Sequence, residues 1–270
     1  MKLFLVEMRR AMHRRLSWML IGLALVGIAV IGVAAFASSA ALDVAAVEAR
    51  HETHPAVLRH WWIAGTGDGM LTVAAAFLLM GGLIGGASVV GAEWRAGTLT
   101  TMLTWEPRRL RLHLSRVGAC AACAALVSFC LQAVYLSAFL PAVLAHGTTA
   151  GTDGGWFVGL AAAMARISLL TAMATAVGAS IAFVGRNTTA ALAAAFAWMA
   201  IGENLVRAHV PDLQPFLLGE NTSLIVVWGP LEEVAFTRSP MLAVATLLTY
   251  GIGIAALSAV RFHHSDVAAT

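Results

Sequence analysis

Between Leu16 and Leu42 the chain carries no charged side chain. About 20 apolar residues, rising 1.5 Å each, suffice for a helix to cross a hydrocarbon layer about 30 Å thick. This run therefore reads as a membrane span at 16–42, and five further runs join it at 70–91, 117–144, 160–185, 187–206 and 241–260. The fourth begins somewhere between Trp156 and Ile167, because Arg166 interrupts it. The fifth has only 187–202 ahead of Glu203, short unless Glu203 lies near the far interface. Composition agrees, with 60% hydrophobic and 11% charged residues against about 25% charged in a soluble domain. The expected fold is all-α, a polytopic membrane protein of six transmembrane helices forming one domain over 1–270.

The scarcity of charge also limits the chemistry. Lys2 is the only lysine, and a phosphate-cradling P-loop needs a lysine after its glycines, so the chain is not its own P-loop ATPase. The net charge of +3 would suggest a nucleic acid on a soluble face, but these cations sit between apolar spans. Cys120, Cys123 and Cys130 fall within one apolar run, where they read as packing residues rather than a disulfide or metal pair. No cofactor and no metal site is expected.

Orientation follows from the cations. Lys2, Arg9, Arg10, Arg14, Arg15, Arg95, Arg108, Arg109, Arg111, Arg116, Arg186 and Arg261 fall on one side of the alternating spans, twelve in all, against four on the other: Arg50, Arg59, Arg207 and Arg238. The positive-inside rule then places both termini in the cytoplasm of a cell with this chain in its inner membrane. Ahead of the first span, Leu5, Met8 and Met12 share one helical face and Arg9, Arg10, His13 and Arg14 another. Residues 1–15 thus read as an amphipathic interfacial helix. A cleaved signal peptide ending near Ala35-Phe36-Ala37 is disfavoured because the apolar run is too long and continues past the site.

In the second span, Gly81 with Gly85 and Gly82 with Gly86 form two overlapping G-x-x-x-G pairs, which let helix backbones approach closely. General packing and a dimer seam are both compatible with them. Residues 207–239 are broken by Pro211, Pro215 and Pro230 yet apolar at 216–218 and 224–228. A broken, partly re-entrant outer segment fits this pattern.

The segment 93–109 between the second and third spans is the most informative. Gly97 breaks the outgoing helix, Thr98 can cap a short new one, and Pro107 is placed to start the next. The short helix carries Leu99, Met102 and Leu103 on one side. An apolar knob of this kind is covered by a partner or folded back on the bilayer.

The order of Glu93, Gly97, Thr98, Leu99, Leu103, Pro107 and Arg109 resembles the membrane subunits of type-two ATP-binding-cassette exporters. Arg186-Asn187-Thr188, the alanine-rich span with Glu203, the outer Val210-Pro211 and the amphipathic amino-terminal helix are similar to that family too, so the resemblance extends over nearly the whole chain. It implies a multi-pass permease that pairs with a second permease protomer, usually a copy of itself, and with separate cytoplasmic ATPase subunits. It also implies that 97–104 acts as a coupling helix in a groove of the ATPase, with Glu93, Arg95, Met102 and Arg109 beside it. The expected partners are therefore the ATPase, a second protomer and membrane lipid, with no nucleic acid and no enzyme activity in this chain.

Other signals are weaker. Arg166 and Glu203 are the charges nearest the hydrocarbon, where ionisable groups are costly and therefore candidates for function. Glu203 precedes Arg207 by a favourable ion-pair spacing, and Arg166 can snorkel to the outer interface. Little else near the midplane could couple ions, which disfavours an ion-coupled carrier; a non-transporting scaffold is a third class. Glu232 and Glu233 with Arg238 miss the paired-glutamate spacing of intramembrane proteases by one residue and lie in an outer loop. His51 and His54 lack the zinc-protease spacing. The glycosylation sequons at Asn187 and Asn221 are short enough to arise by chance.

Overall fold

The computed structural model describes residues 2–50, 52–63, 69–229 and 238–264. His51, Glu232 and Glu233 lie outside them, as does the side chain of Leu99. The described chain is helical: α1 (Lys2–Met12), α2 (Arg15–Ser39), α3 (Val44–Ala49), α4 (Met70–Arg95), α5 (Thr98–Trp105), α6 (Arg109–Ser137), α7 (Leu140–His146), α8 (Gly154–Gly185), α9 (Thr188–Ala197), α10 (Glu203–His209), α11 (Leu218–Val227) and α12 (Pro240–His264). No strand forms among the described residues, only an isolated bridge between Val57 and Thr148.

Among the described residues, five stretches are long and apolar enough to cross a membrane: Arg15–Ser39, Met70–Arg95, Arg109–His146, Gly154–Gly185 and Pro240–His264. The expected fifth span, 187–206, is not one of them. It is divided into the ten-residue α9, a π-helical turn at Trp198–Gly202, and the seven-residue α10. The π turn inserts extra backbone into the hydrogen-bond ladder, as such bulges do.

Several helices run past the charges that bounded the apolar runs. α4 continues through Glu93 to Arg95. The third starts at Arg109 rather than 117 and breaks near Phe139, with Pro141 in the first turn of α7. α8 begins at Gly154, where Asp153 caps it by accepting from the Trp156 N–H at 2.7 Å, so Arg166 lies inside the helix. An Asp at the N-cap satisfies one of the amide groups that a helix start leaves without a partner.

α8 is the centre of the bundle and packs against α4, α6, α9, α11 and α12. Over half of its apolar window is buried (56%), against 11% for α2, which lies at the periphery. The α4–α8 crossing depends on glycine. A Cβ on Gly82 would crowd Thr171 and Thr175, one on Gly86 would collide with the Thr175 carbonyl, and one on Gly178 with that of Leu83. The backbones therefore meet where side chains are absent. Gly81 and Gly85 face open space instead. Of the two overlapping pairs, Gly82 with Gly86 is consumed within the chain and Gly81 with Gly85 is not.

α6 joins α8 by buried polar side chains. The Gln132 amide donates to Ser168 Oγ at 3.0 Å and to the Met164 carbonyl at 3.3 Å, while Ser128 donates to Thr171 at 3.2 Å. At the far end of the bundle, Ser39 meets His146 at 3.1 Å and the Trp156 indole donates to the Trp62 carbonyl.

Candidate functional site

At the arginine-rich end, α1, α4, α5 and α6 meet around buried charge. Glu93, on the last turn of α4, is 3% exposed, and Arg116, on the second turn of α6, is 1% exposed. These two form an ion pair. Arg116 Nε also donates to Glu7 of α1 at 3.1 Å. Arg14, just ahead of α2, pairs with Glu93, and Arg10 stands 3.8 Å from the same carboxylate. Three guanidiniums thus surround two carboxylates. Arg10 and Arg116 also direct N–H groups at the Met102 sulfur, at 3.2 and 3.1 Å, a weak acceptor.

The cluster dictates how α5 sits. Gly97 takes a left-handed conformation, φ 64°, which costs a glycine little and turns the chain sharply after α4. Gly97 is itself the N-cap of α5. Thr98 is therefore the first helical residue rather than the cap, and its hydroxyl approaches the Glu93 carbonyl at 3.5 Å. Met102 and Leu103 turn inward against the core of Leu112, Val117 and Phe262. Thr101, Thr104, Pro107 and Arg108 are exposed. Pro107 precedes the next helix rather than opening it, since α6 starts at Arg109.

The flanking cations also have defined places. Arg109 donates to the carbonyls of Phe262 and His263 at 3.4 Å, tying α6 to the end of α12, where a cation suits the helix dipole. Arg95 is exposed. Arg186, in a left-handed conformation at the end of α8, stacks 5.0 Å from the Trp94 ring. His113 meets Ser258 at 2.9 Å, a second buried link from α6 to α12.

Glu93 finds its cationic partners in Arg116, Arg14 and Arg10, none of them in its own connecting segment 93–109 that the sequence singled out. Glu203 also differs from expectation. Its carboxylate accepts from the Leu218 N–H at 2.8 Å and the Gly219 N–H at 3.1 Å, so it caps α11 across fifteen residues. Arg207 pairs with Glu220 at 2.8 Å instead. A carboxylate at a helix start is favoured by the dipole as well as by hydrogen bonding. Arg166 is half-buried and lies 4.9 Å from the Trp228 ring, a cation–π contact.

Glu7, Arg10, Arg14 and Arg116 were absent from the expected site. One signal was available: Glu7 is the only acid in the first 42 residues, set among five cations. His54 lies in the connection between α3 and α4, apart from this cluster. No protein-family model and no curated protein matches the chain.

Proposed function

We propose that the chain is the permease subunit of an ATP-binding-cassette exporter, driven by ATP hydrolysis on a separate subunit. The observation that carries this reading is the short helix α5, which is fastened between two long apolar helices by Gly97 on one side and the Arg116–Glu93–Glu7 cluster on the other. A helix so held can pass a push from a cytoplasmic partner into α4 and α6 together. Met102 and Leu103 supply the grip on the bundle, and the exposed side bearing Thr101 and Thr104 is left to meet the ATPase.

On this reading α9, the π turn and α10 make a sixth, bent crossing, and α1 lies at the inner interface. Both termini are then cytoplasmic, and a second protomer, usually a copy, completes the pathway through the cell membrane. The sole lysine, Lys2, leaves no P-loop in the chain, which suits a division of labour with a separate ATPase. An ion-coupled carrier fits less well, because the buried carboxylates Glu7, Glu93 and Glu203 are each engaged by guanidiniums or backbone N–H groups.

The test is reconstitution. The chain, co-expressed with a candidate P-loop ATPase subunit, is expected to purify as a complex whose hydrolysis depends on both components. Substrate movement by the lone chain without nucleotide would overturn the proposal.

A further inference from the structure

We infer that the groove between α2 and α4 holds one anionic glycerophospholipid of the leaflet at the arginine-rich end. The inference requires only that the chain lies in a bilayer and is independent of the transport reading.

α2 and α4 diverge around a cavity of about 200 Å³ lined by Arg14, Ser17 and Leu20 from one side and Gly85, Ser88 and Ala92 from the other. On α4 the residues Gly81, Gly85, Ser88, Val89 and Ala92 follow helical spacing and share one face. That face is about 16 Å long at 1.5 Å per residue, close to half of the roughly 30 Å hydrocarbon layer. It therefore matches one leaflet in length. Neither Gly81 nor Gly85 has a neighbour within 4 Å of its Cβ position, so the chain leaves the glycine part of this face uncovered, while Val89 packs against Ala11, Cys120 and Cys123.

The ends of the groove differ in chemistry. At the arginine-rich end, Arg14 gives Nη2 to Glu93, and a guanidinium has five N–H donors in all. The adjoining cluster counts Arg10, Arg14 and Arg116 against Glu7 and Glu93, one positive charge in excess. Among the described residues, no acidic side chain lines the cavity. Ser17 and Ser88 add hydroxyls, while Leu16, Leu20 and Val89 supply apolar wall. A phosphodiester at Arg14 with an acyl chain along Gly85 and Gly81 meets both ends. Inorganic phosphate would leave the apolar wall bare, and a second protein helix would bury the excess charge without a partner.

The probe is phosphatidylglycerol, compared with phosphatidylcholine and with inorganic phosphate, on delipidated full-length protein. Native mass spectrometry is expected to find one phosphatidylglycerol per chain resisting detergent exchange, at least tenfold more than phosphatidylcholine. The melting midpoint should rise with phosphatidylglycerol only. Gly85→Leu, which fills the cavity where no atom stands in the way, should abolish both effects. If that variant fails to fold, the wild-type comparison between the two lipids decides alone. Equal retention of both lipids, stabilisation by inorganic phosphate alone, or lipid retention unchanged in a folded Gly85→Leu protein would each overturn the inference. So would Gly85→Cys forming a disulfide between two copies in phosphatidylglycerol vesicles, because a second chain would then occupy the groove.

Discussion

Replacing Arg116 with Met keeps most of the side-chain volume and removes the charge that two buried carboxylates share. Glu7 stands 3.1 Å from Arg116 Nε, a contact of about 5 kcal/mol by Coulomb's law at an effective dielectric near 20. Glu93 lies on the same guanidinium but keeps Arg14 and Arg10. The loss therefore falls mainly on Glu7, which would be left buried without a cation. Breaking a buried pair from one side costs about 3–5 kcal/mol, most of it the penalty of the abandoned charge. The same argument grades the other positions, because the side chain of Arg14 is 21% exposed and that of Arg10 is 38% exposed. Water screens those pairs, and each is expected to contribute about 1 kcal/mol or less.

Thermal unfolding in a neutral detergent reads this out. Arg116→Met should lower the midpoint by on the order of 10 °C, Arg14→Gln by a few degrees at most, and Arg10→Gln scarcely at all. A double variant, Glu7→Gln with Arg116→Met, should recover part of the loss, since the abandoned charge is gone. An Arg116→Met protein as stable as wild type, or equal losses at Arg116 and Arg10, would refute the reading of this cluster as buried structural charge.

Gly86→Val should destabilise the α4–α8 crossing by about 3 kcal/mol or more, since its side chain meets the Thr175 backbone, whereas Gly81→Ala should be neutral or slightly stabilising; melting midpoints of both separate the two glycine faces. Glu203→Gln should loosen the start of α11 by about 1–2 kcal/mol, because the charge-assisted cap on Leu218 and Gly219 is weakened, seen as faster amide exchange over 218–221. Burial holds the His54 imidazole below its ordinary pKa of 6.5, and its Nδ1 accepts from the Ala56 N–H. The unfolded loop thus binds protons more readily, so this contribution is complete above about pH 6.5 and is lost as pH falls through the lowered value; proteolysis of 52–63 should quicken at pH 5 relative to pH 7.5, and not in His54→Gln. Single cysteines at Thr149 and Ala268 should react oppositely with an impermeant thiol reagent in intact cells, the former labelled and the latter protected.

Apolar length made four of the long helices legible in the sequence, and the cap at Asp153 with its apolar run accounts for the start of a fifth. The bounds went astray wherever a charge was assumed to end a span. Arg116 sits within α6 because its charge has found Glu7 and Glu93, and Arg166 sits within α8 beside an indole face. That pairing could not be seen locally, since Arg116 and Glu7 are 109 residues apart and Arg14 and Glu93 are 79 apart. The spacing of Glu203 and Arg207 suggested a local pair, but α11 presents free amide groups that only tertiary structure brings into reach. Likewise, the glycine pattern marked a close approach in α4 without telling which of its two faces α8 would take. Ser128, Gln132, Ser168 and Thr171 interrupt apolar runs at three- and four-residue spacing, which places them on single faces of α6 and α8.

The placement of charge also decides which parts can move separately. α1, α4, α5 and α6 converge on one set of ion pairs, so displacing α5 against α6 would have to separate Met102 and Leu103 from the core, and displacing α1 would uncover Glu7 and Arg116. Each costs several kcal/mol by the arithmetic above. α2 lacks ion pairs along its length: apart from Arg14 just ahead of it and the Ser39–His146 contact at its end, it is held by packing at Ile28, Gly32 and Ala35, and it borders a cavity against α4. On the permease reading proposed above, a push on the exposed side of α5 would therefore pass to α1, α4 and α6 as one body.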